Sequence, residues 1–389
     1  MNKSLVALVV CSFVGLLGVV SCSQVSGDAT SDLLQQQPAE GEVPIFEVDP
    51  TWPKQLPNNW IVGVVSGVYV DDQDHVWIVQ RAGSVNTTEG AAATDPPAAA
   101  CCLPAPPVLE FDQDGRVVQG WGGPSAEYDW PESEHGIYLD EEDHVWVVGN
   151  DETGGRVLKF TRDGRFLLQI GGEGTGGGSN DTVSFGRPAQ AWVDHESSEV
   201  FVADGELNRR VIVFDTETGV YKRHWGGHGE VPDDSAPWGV TPDGWPSGQF
   251  GPGGVHGLAI SRDKKVYVTD RNNNRIQVFR TDGTFLEEVL VAPWTRGVGS
   301  AFAFAFSPDP DQRFLYMADG TNQRVWILSR DQLEVLAWFG HPGRNVGQFL
   351  RAHDIAVDSG GHLFVAEANE GRRIQRFSFK GFGPAAYYD

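Results

Sequence analysis

Methionine and cysteine are scarce in this chain of 389 residues, with Met present twice and Cys four times. Cys11 and Cys22 fall in the first 22 residues, and the other two, Cys101 and Cys102, are neighbours. Adjacent cysteines can form a vicinal disulfide or stay as thiols, but they cannot staple distant parts of one chain by pairing together. A disulfide scaffold is thereby excluded, and stability must come from packing. Positive charge is also short: 29 Lys and Arg stand against 53 Asp and Glu, for a net charge of −24. Such a surface repels phosphate backbones and anionic lipid, which excludes nucleic acid as a partner. Beyond residue 22 no stretch is apolar enough to read as a membrane span.

What the N-terminus does contain is Lys3, an apolar run from Leu5 to Val20, and then Ser21-Cys22. A charged start, a short apolar core and small residues make a signal peptide over residues 1–22. Val19-Val20-Ser21-Cys22 also resembles a bacterial lipoprotein box, in which the cysteine is acylated after cleavage; ordinary cleavage and a retained anchor are the alternatives. The expectation is an exported, extracytoplasmic protein of the periplasm or cell surface, tethered at Cys22 and touching membrane only through that anchor. Residues 23–42 are polar and aperiodic and read as a flexible linker. Residues 43–389 form the folded body, expected as a monomer.

Gly 48, Trp 13 and Phe 21 suggest many short strands and tight turns, and the body repeats one phrase. An alternating apolar strand is followed by an Asp/Gly turn, a second apolar strand ending in Asp or Asn, a third ending in Phe, and a fourth. Clear copies are HGLAISRDKKVYVTDRNNNRIQVFRTDGTFLEEVL from His256, AHDIAVDSGGHLFVAEANEGRRIQRF from Ala352 and EHGIYLDEEDHVWVVGND from Glu134. Further copies begin near Ser66, Ala189 and Ala301. Six copies of four short antiparallel strands, spaced roughly 45 to 70 residues apart, match the blades of an all-β, six-bladed β-propeller. A blade cannot bury both faces alone, so neighbours stack in a ring, and closure leaves no long exposed sheet edge. The last copy runs short after Phe379, so the early strand around Val43–Trp52 is expected to complete the sixth blade. These repeats resemble NHL-type propeller repeats across 43–379. Asp204, Asp270 and Asp319, each followed by an Arg about five residues on (Arg209, Arg275, Arg324), match the Asp and Arg of that repeat and are expected to hold turns.

Aligned on the first strand, five residues before its closing Asp or Ser, the copies show Ser66, His135, Ala189, His256, Phe302 and His353. The histidines fall on blades two, four and six. Equivalent positions on alternate blades of a six-fold ring lie about 120° apart and point at one axis, a three-imidazole arrangement that suits Zn²⁺ with an open fourth position. With 10 His in 389 residues, such a pattern arises by chance about once in 1,000 even after roughly 20–30 columns are tried. His75, His144 and His362 occupy another column, in the turn before the second strand, and are read as solvated turn residues.

A propeller with three axial histidines resembles the peptidyl-α-hydroxyglycine α-amidating lyases. In that family zinc is held by histidines in motifs of the form PHGL, PHSL and PHDI; the matching segments here are EHGI at His135, VHGL at His256 and AHDI at His353. The resemblance implies a zinc-dependent carbon–nitrogen lyase that cleaves a carbinolamide to an amide and glyoxylate. It implies a calcium ligand at Asp354 and a catalytic arginine at Arg81, in VWIVQR. The chain departs from the family at one important place: a catalytic tyrosine stands there in DGYCNSR, whereas here DGELNRR puts Glu206 at the tyrosine and Leu207 at a disulfide cysteine. Glu206 could serve as a general base in its place.

Two other functions compete with a lyase on a small-molecule or peptide substrate. One is a non-catalytic cell-surface binding propeller with a structural metal; the other is a metal-dependent propeller hydrolase of lactones or esters. Two insertions rich in Pro, Gly and small residues, at 86–107 and 229–248, are read as loops. Trp238 and Trp245 in the second would either line a ligand pocket or pack the loop itself.

Overall fold

The second strand of every repeat is a run of apolar residues: VWIV, VWVV, VFVA, VYVT, FLYM and LFVA. A strand with both faces apolar must be covered on both, because successive side chains point to opposite sides. In the computed structural model, which describes residues 38–172, 174, 176–237 and 248–385, each of these strands lies inside a four-stranded sheet sandwiched between two others. Val145 and Val147 face the sheet before, while Trp146 and Val148 face the sheet after. The same alternation sends Val266 and Val268 one way and Tyr267 the other. The result is six apolar clusters, one at each junction between neighbouring sheets. The core is therefore a closed ring and not a single centre, and the chain is an all-β, six-bladed propeller.

Blade one comprises Val64–Val70, Val76–Arg81, Val108–Phe111 and Val117–Trp121. Blades two to five are antiparallel meanders within 134–171, 188–225, 255–290 and 303–339. Blade six takes three strands from the C-terminal part (Ala352–Val357, Leu363–Glu367 and Arg373–Pro384) and its outer strand from Glu42–Val48. The expected closure is thus present: Phe46 pairs with Phe379 and Val48 with Phe377. The signal peptide, Cys22, most of the linker, Trp238 and Trp245 lie outside the described residues. Cys101 and Cys102, left open by the sequence, are bonded to each other.

The expected Asp–Arg pairs need correction. Asp270 does hold Arg275, at 2.7 Å with neither side chain exposed. Asp204, however, pairs with Arg210 and not Arg209, because its hairpin is one residue longer and the register sets Asp204 opposite Arg210. Asp319 accepts the indole N–H of Trp326 at 2.9 Å, and Arg324 stacks on Trp338 instead. The same acid–arginine link recurs at Asp151–Arg156 and Glu367–Arg373, which the spacing rule had passed over. The turn histidines are also not free in solvent. His75 Nδ1 lies 2.7 Å from Glu110, His144 Nδ1 lies 3.2 Å from Asp140, and His362 Nδ1 accepts the Phe379 N–H at 3.0 Å.

Breaking a buried pair strands an uncompensated charge, which costs about 3–5 kcal/mol. Arg275→Ala should lower the urea midpoint by a corresponding amount. Arg116→Ala, whose acidic neighbours stand in solvent, should leave it unchanged, since exposed pairs contribute little. Equal midpoints for the two variants would show that the buried pair is not structural.

Candidate functional site

The first strand of a blade lines the axis, and in these strands the pairing register slips at one position. Blade two pairs Glu134 with Gly149 and Gly136 with Val148, so His135 has no partner across the ladder. His353 is skipped between Ala352 and Asp354, and His256 between Val255 and Leu258. A β-bulge re-aims the side chain it frees. Here it turns three imidazoles inward: the ring centroids of His135, His256 and His353 are 4.8 Å apart in every pair. All three are buried, and their ligating nitrogens fall within 4.8 Å of one another. The sequence column thus converges on one point, on one face of the ring.

Each ring is gripped from behind. His135 Nδ1 donates to the Ala189 carbonyl at 2.8 Å, His256 Nδ1 to Phe302 at 2.7 Å and His353 Nδ1 to Ser66 at 2.7 Å. A carbonyl only accepts, so Nδ1 carries the proton and Nε2 presents a lone pair to the axis. The three acceptors are the same repeat position on the next blade, so one bond type is used three times around the ring. Gly136 follows His135 for a related reason: a Cβ there would stand 2.6 Å from the Ala189 carbonyl oxygen. His256 Nε2 is buried with no hydrogen-bond partner. Burial pushes all three imidazoles well below their ordinary pKa, and nearby arginines reinforce the shift. Neutral rings whose Nε2 atoms converge, one of them buried without a partner, are what a tetrahedral metal ion requires of its ligands, and three of them leave one position open. The residues present fit zinc.

Arg81 and Glu206 both reach this centre. Arg81 Nε donates to the Glu134 carbonyl at 2.9 Å, one residue from His135. A Glu206 oxygen stands 4.0 Å from His135 Nε2. Glu206 accepts from Arg271 at 3.2 Å, Arg187 at 3.3 Å and Asn150 at 3.0 Å. Asp354 lines the same axial cavity as the three histidines, and its two oxygens accept the backbone N–H groups of Val68 and Ile355, both at 2.9 Å. Burial raises its pKa to about 7, and it joins neither cluster of metal-ligand side chains found among the described residues.

Sequence reasoning missed three further arginines. Arg271, with 8% exposure, and Arg351 stack on the Phe302 ring at 5.0 and 4.9 Å, and Arg187 anchors its Nε on the Asn150 carbonyl at 3.0 Å. A signal did exist. Arg187 and Arg351 each stand two residues before the axial position, and Arg271 shares a column with Arg81 at the end of the second strand. A second cluster, Asp71, His75 and Glu110, already holds a cation: the Arg162 guanidinium binds both carboxylates, 2.6 Å from Asp71. That cluster ties blade one to blade two and leaves no vacancy for a metal.

A model of the NHL repeat matches residues 253–279 and 349–377, the parts of blades four and six that contain His256 and His353. NHL repeat-containing protein 3 of Mus musculus is 24% identical over 301 residues, covering 74% of this chain and 70% of that protein. Peptidylglycine alpha-amidating monooxygenase of Rattus norvegicus is 28% identical over 245 residues, which is 60% of this chain but only 22% of that protein. The chain therefore carries NHL repeats and is homologous to NHL repeat proteins and to the lyase-related region of the amidating enzyme. Among solved structures, a streptogramin B lyase superposes with a TM-score of 0.51 at 10% identity, covering 89% of this chain and all of that one, a likeness of fold alone.

Elemental analysis of purified protein should find about one metal ion per chain. His256→Ala should abolish it, whereas His75→Ala should retain it. Metal retained in His256→Ala, or lost in His75→Ala, would put the site elsewhere.

Proposed function

We propose that His135, His256 and His353 hold a zinc ion, and that the pocket above them cleaves a carbinolamide of the α-hydroxyglycine type to an amide and glyoxylate. The observation that carries this reading is the convergence of three neutral, carbonyl-anchored imidazoles beside an arginine and a carboxylate. Homology to the lyase-related region of the amidating enzyme supports it.

The chemistry is redox-neutral. The substrate hydroxyl loses its proton, its C–O bond becomes the aldehyde C=O, the C–N bond breaks, and a proton returns to the departing amide nitrogen. Zinc, when bound, acidifies a hydroxyl or water at its open position. Arg81, with its Nη atoms unspent among the described residues, orients the substrate carboxylate by a charge-assisted bond. Glu206, held in place by Arg187, Arg271 and Asn150, is within reach to accept the hydroxyl proton and return it to nitrogen. Burial of the triad keeps competing water out of the ligand sphere.

Calcium at Asp354 finds less support. A calcium ion needs six to eight oxygens, and both oxygens of Asp354 already accept backbone N–H groups. A second functional reading is favoured by Glu206 itself: a carboxylate committed to two guanidiniums suits a binding propeller whose metal is structural. The proposal also places the protein outside the cytoplasm as a monomer, with Cys22 as its lipid anchor. Cys22→Ala should then release it from the membrane fraction.

Zinc-loaded protein given a peptidyl-α-hydroxyglycine should release glyoxylate, and Arg81→Ala should reduce that rate by roughly 100-fold or more. A full complement of zinc with no glyoxylate would transfer the assignment to the binding reading.

A further inference from the structure

The mouth above the triad is more basic than one substrate carboxylate needs. Arg81 on blade one and Arg271 on blade four share a repeat column on opposite sides of the ring, and so do Arg187 on blade three and Arg351 on blade six. Four guanidiniums therefore surround the axis in a chain whose net charge is −24. Among the described residues only Glu206 bridges members of the set, at 3.2 Å from Arg271 and 3.3 Å from Arg187.

The neighbouring acids do not supply the missing charge. Glu134 is buried, ion-pairs with none of the four guanidiniums among the described residues, and accepts the Trp130 indole N–H at 2.7 Å. Asp151 is paired with Arg156, and Asp319 is spent on Thr321, Asn322 and Trp326. Glu370 lies exposed at the rim. Arg351 makes no side-chain hydrogen bond among the described residues and rests on the Phe302 ring. Arg271 is more than nine-tenths buried, lies against the same ring, and its Nε has no partner. Among the described residues the four guanidiniums share one ion-paired carboxylate, Glu206, and Arg351 is otherwise attracted by the exposed Glu370, so positive charge outweighs its paired counter-charge in a partly desolvated cluster. Clustering like charges without a counter-ion is costly, so such a cluster is a site for anions.

We infer that the ligand of this mouth carries at least two anionic groups, one taken by Arg81 and a second by Arg351, with Glu206 remaining on Arg187 and Arg271. The substrate class narrows accordingly, from a neutral peptide ending in one carboxylate to a small dianionic acid, or to a chain with an acidic side group next to its terminal carboxylate. This rests on the proposed site for its location but not on the lyase reaction for its truth. Arg351 is a specificity determinant in this scheme: it touches the second anion and not the bond that breaks.

Malonate and acetate are suitable probes, since they differ by one carboxylate. Calorimetric titrations at low ionic strength should use full-length protein in three forms: zinc-loaded, stripped of metal by chelator, and His256→Ala. Malonate should bind at least about tenfold more tightly than acetate in all three, a difference of about 1.4 kcal/mol. Arg351→Gln should erase the preference while changing acetate affinity less than about threefold, because Arg81 remains to hold a single carboxylate. Equal affinities for the two acids, or a preference that survives Arg351→Gln, overturns the inference. A preference seen only with zinc present also overturns it, because the metal and not the arginine would then be holding malonate. Glyoxylate release is measured separately, so failure of the lyase reaction and failure of the dianion site give different results.

Discussion

The bond on which the site depends runs from an imidazole Nδ1 on one blade to a backbone carbonyl on the next. It is made three times, by His135 to Ala189, His256 to Phe302 and His353 to Ser66. A hydrogen bond across a blade junction can be short only if the junction is fully packed, so the geometry of the centre is inherited from the ring. The bond also decides the tautomer, and hence which nitrogen looks at the axis. Without the blade behind it, each histidine would be a flexible side chain with two interchangeable tautomers.

The ring is rigid at this point for a reason of layering. Every second strand is buried on both faces, with alternate residues belonging to different junctions, so no blade can tilt without opening two clusters at once. Interiors packed in this way respond to small displacements with lost contacts on both sides. The bulges at His135, His256 and His353 then supply the only local freedom needed, one residue outside the ladder, to redirect a side chain to the axis. Fold stability and site geometry are separate in sequence but use the same strands.

Charge is arranged against the grain of the whole molecule. A surface of net charge −24 surrounds a mouth in which Arg81, Arg187, Arg271 and Arg351 meet a single carboxylate, Glu206. The arginines also help keep the imidazoles neutral, since a positive neighbour disfavours a second positive charge. Neutral imidazoles and a cationic rim thus favour one another: the rim protects the lone pairs, and the buried rings remain available to a metal ion. Arg162 at the Asp71, His75 and Glu110 cluster shows the opposite solution, in which the protein supplies its own cation and closes the site.

Much of this was legible in the residues themselves. Periodicity two in the strands, a repeat of six and one column of alternate histidines determined the fold class, the closing role of the N-terminal strand and the place of the triad. Those features are properties of order along the chain, and the strand period translates directly into which side a residue faces. Of the four arginines only Arg81 was read from the sequence; Arg187, Arg271 and Arg351 were not, because Arg187 and Arg351 stand outside the strands and only ring closure brings the two columns to one mouth. Nor was the partner of Asp204, since one extra hairpin residue moved the register from Arg209 to Arg210. The sequence by itself determined what each blade is and which residues point inward. The tertiary structure alone decided what those residues meet, because the contacts that anchor the triad, and that of Glu206 with Arg271, are made between different blades.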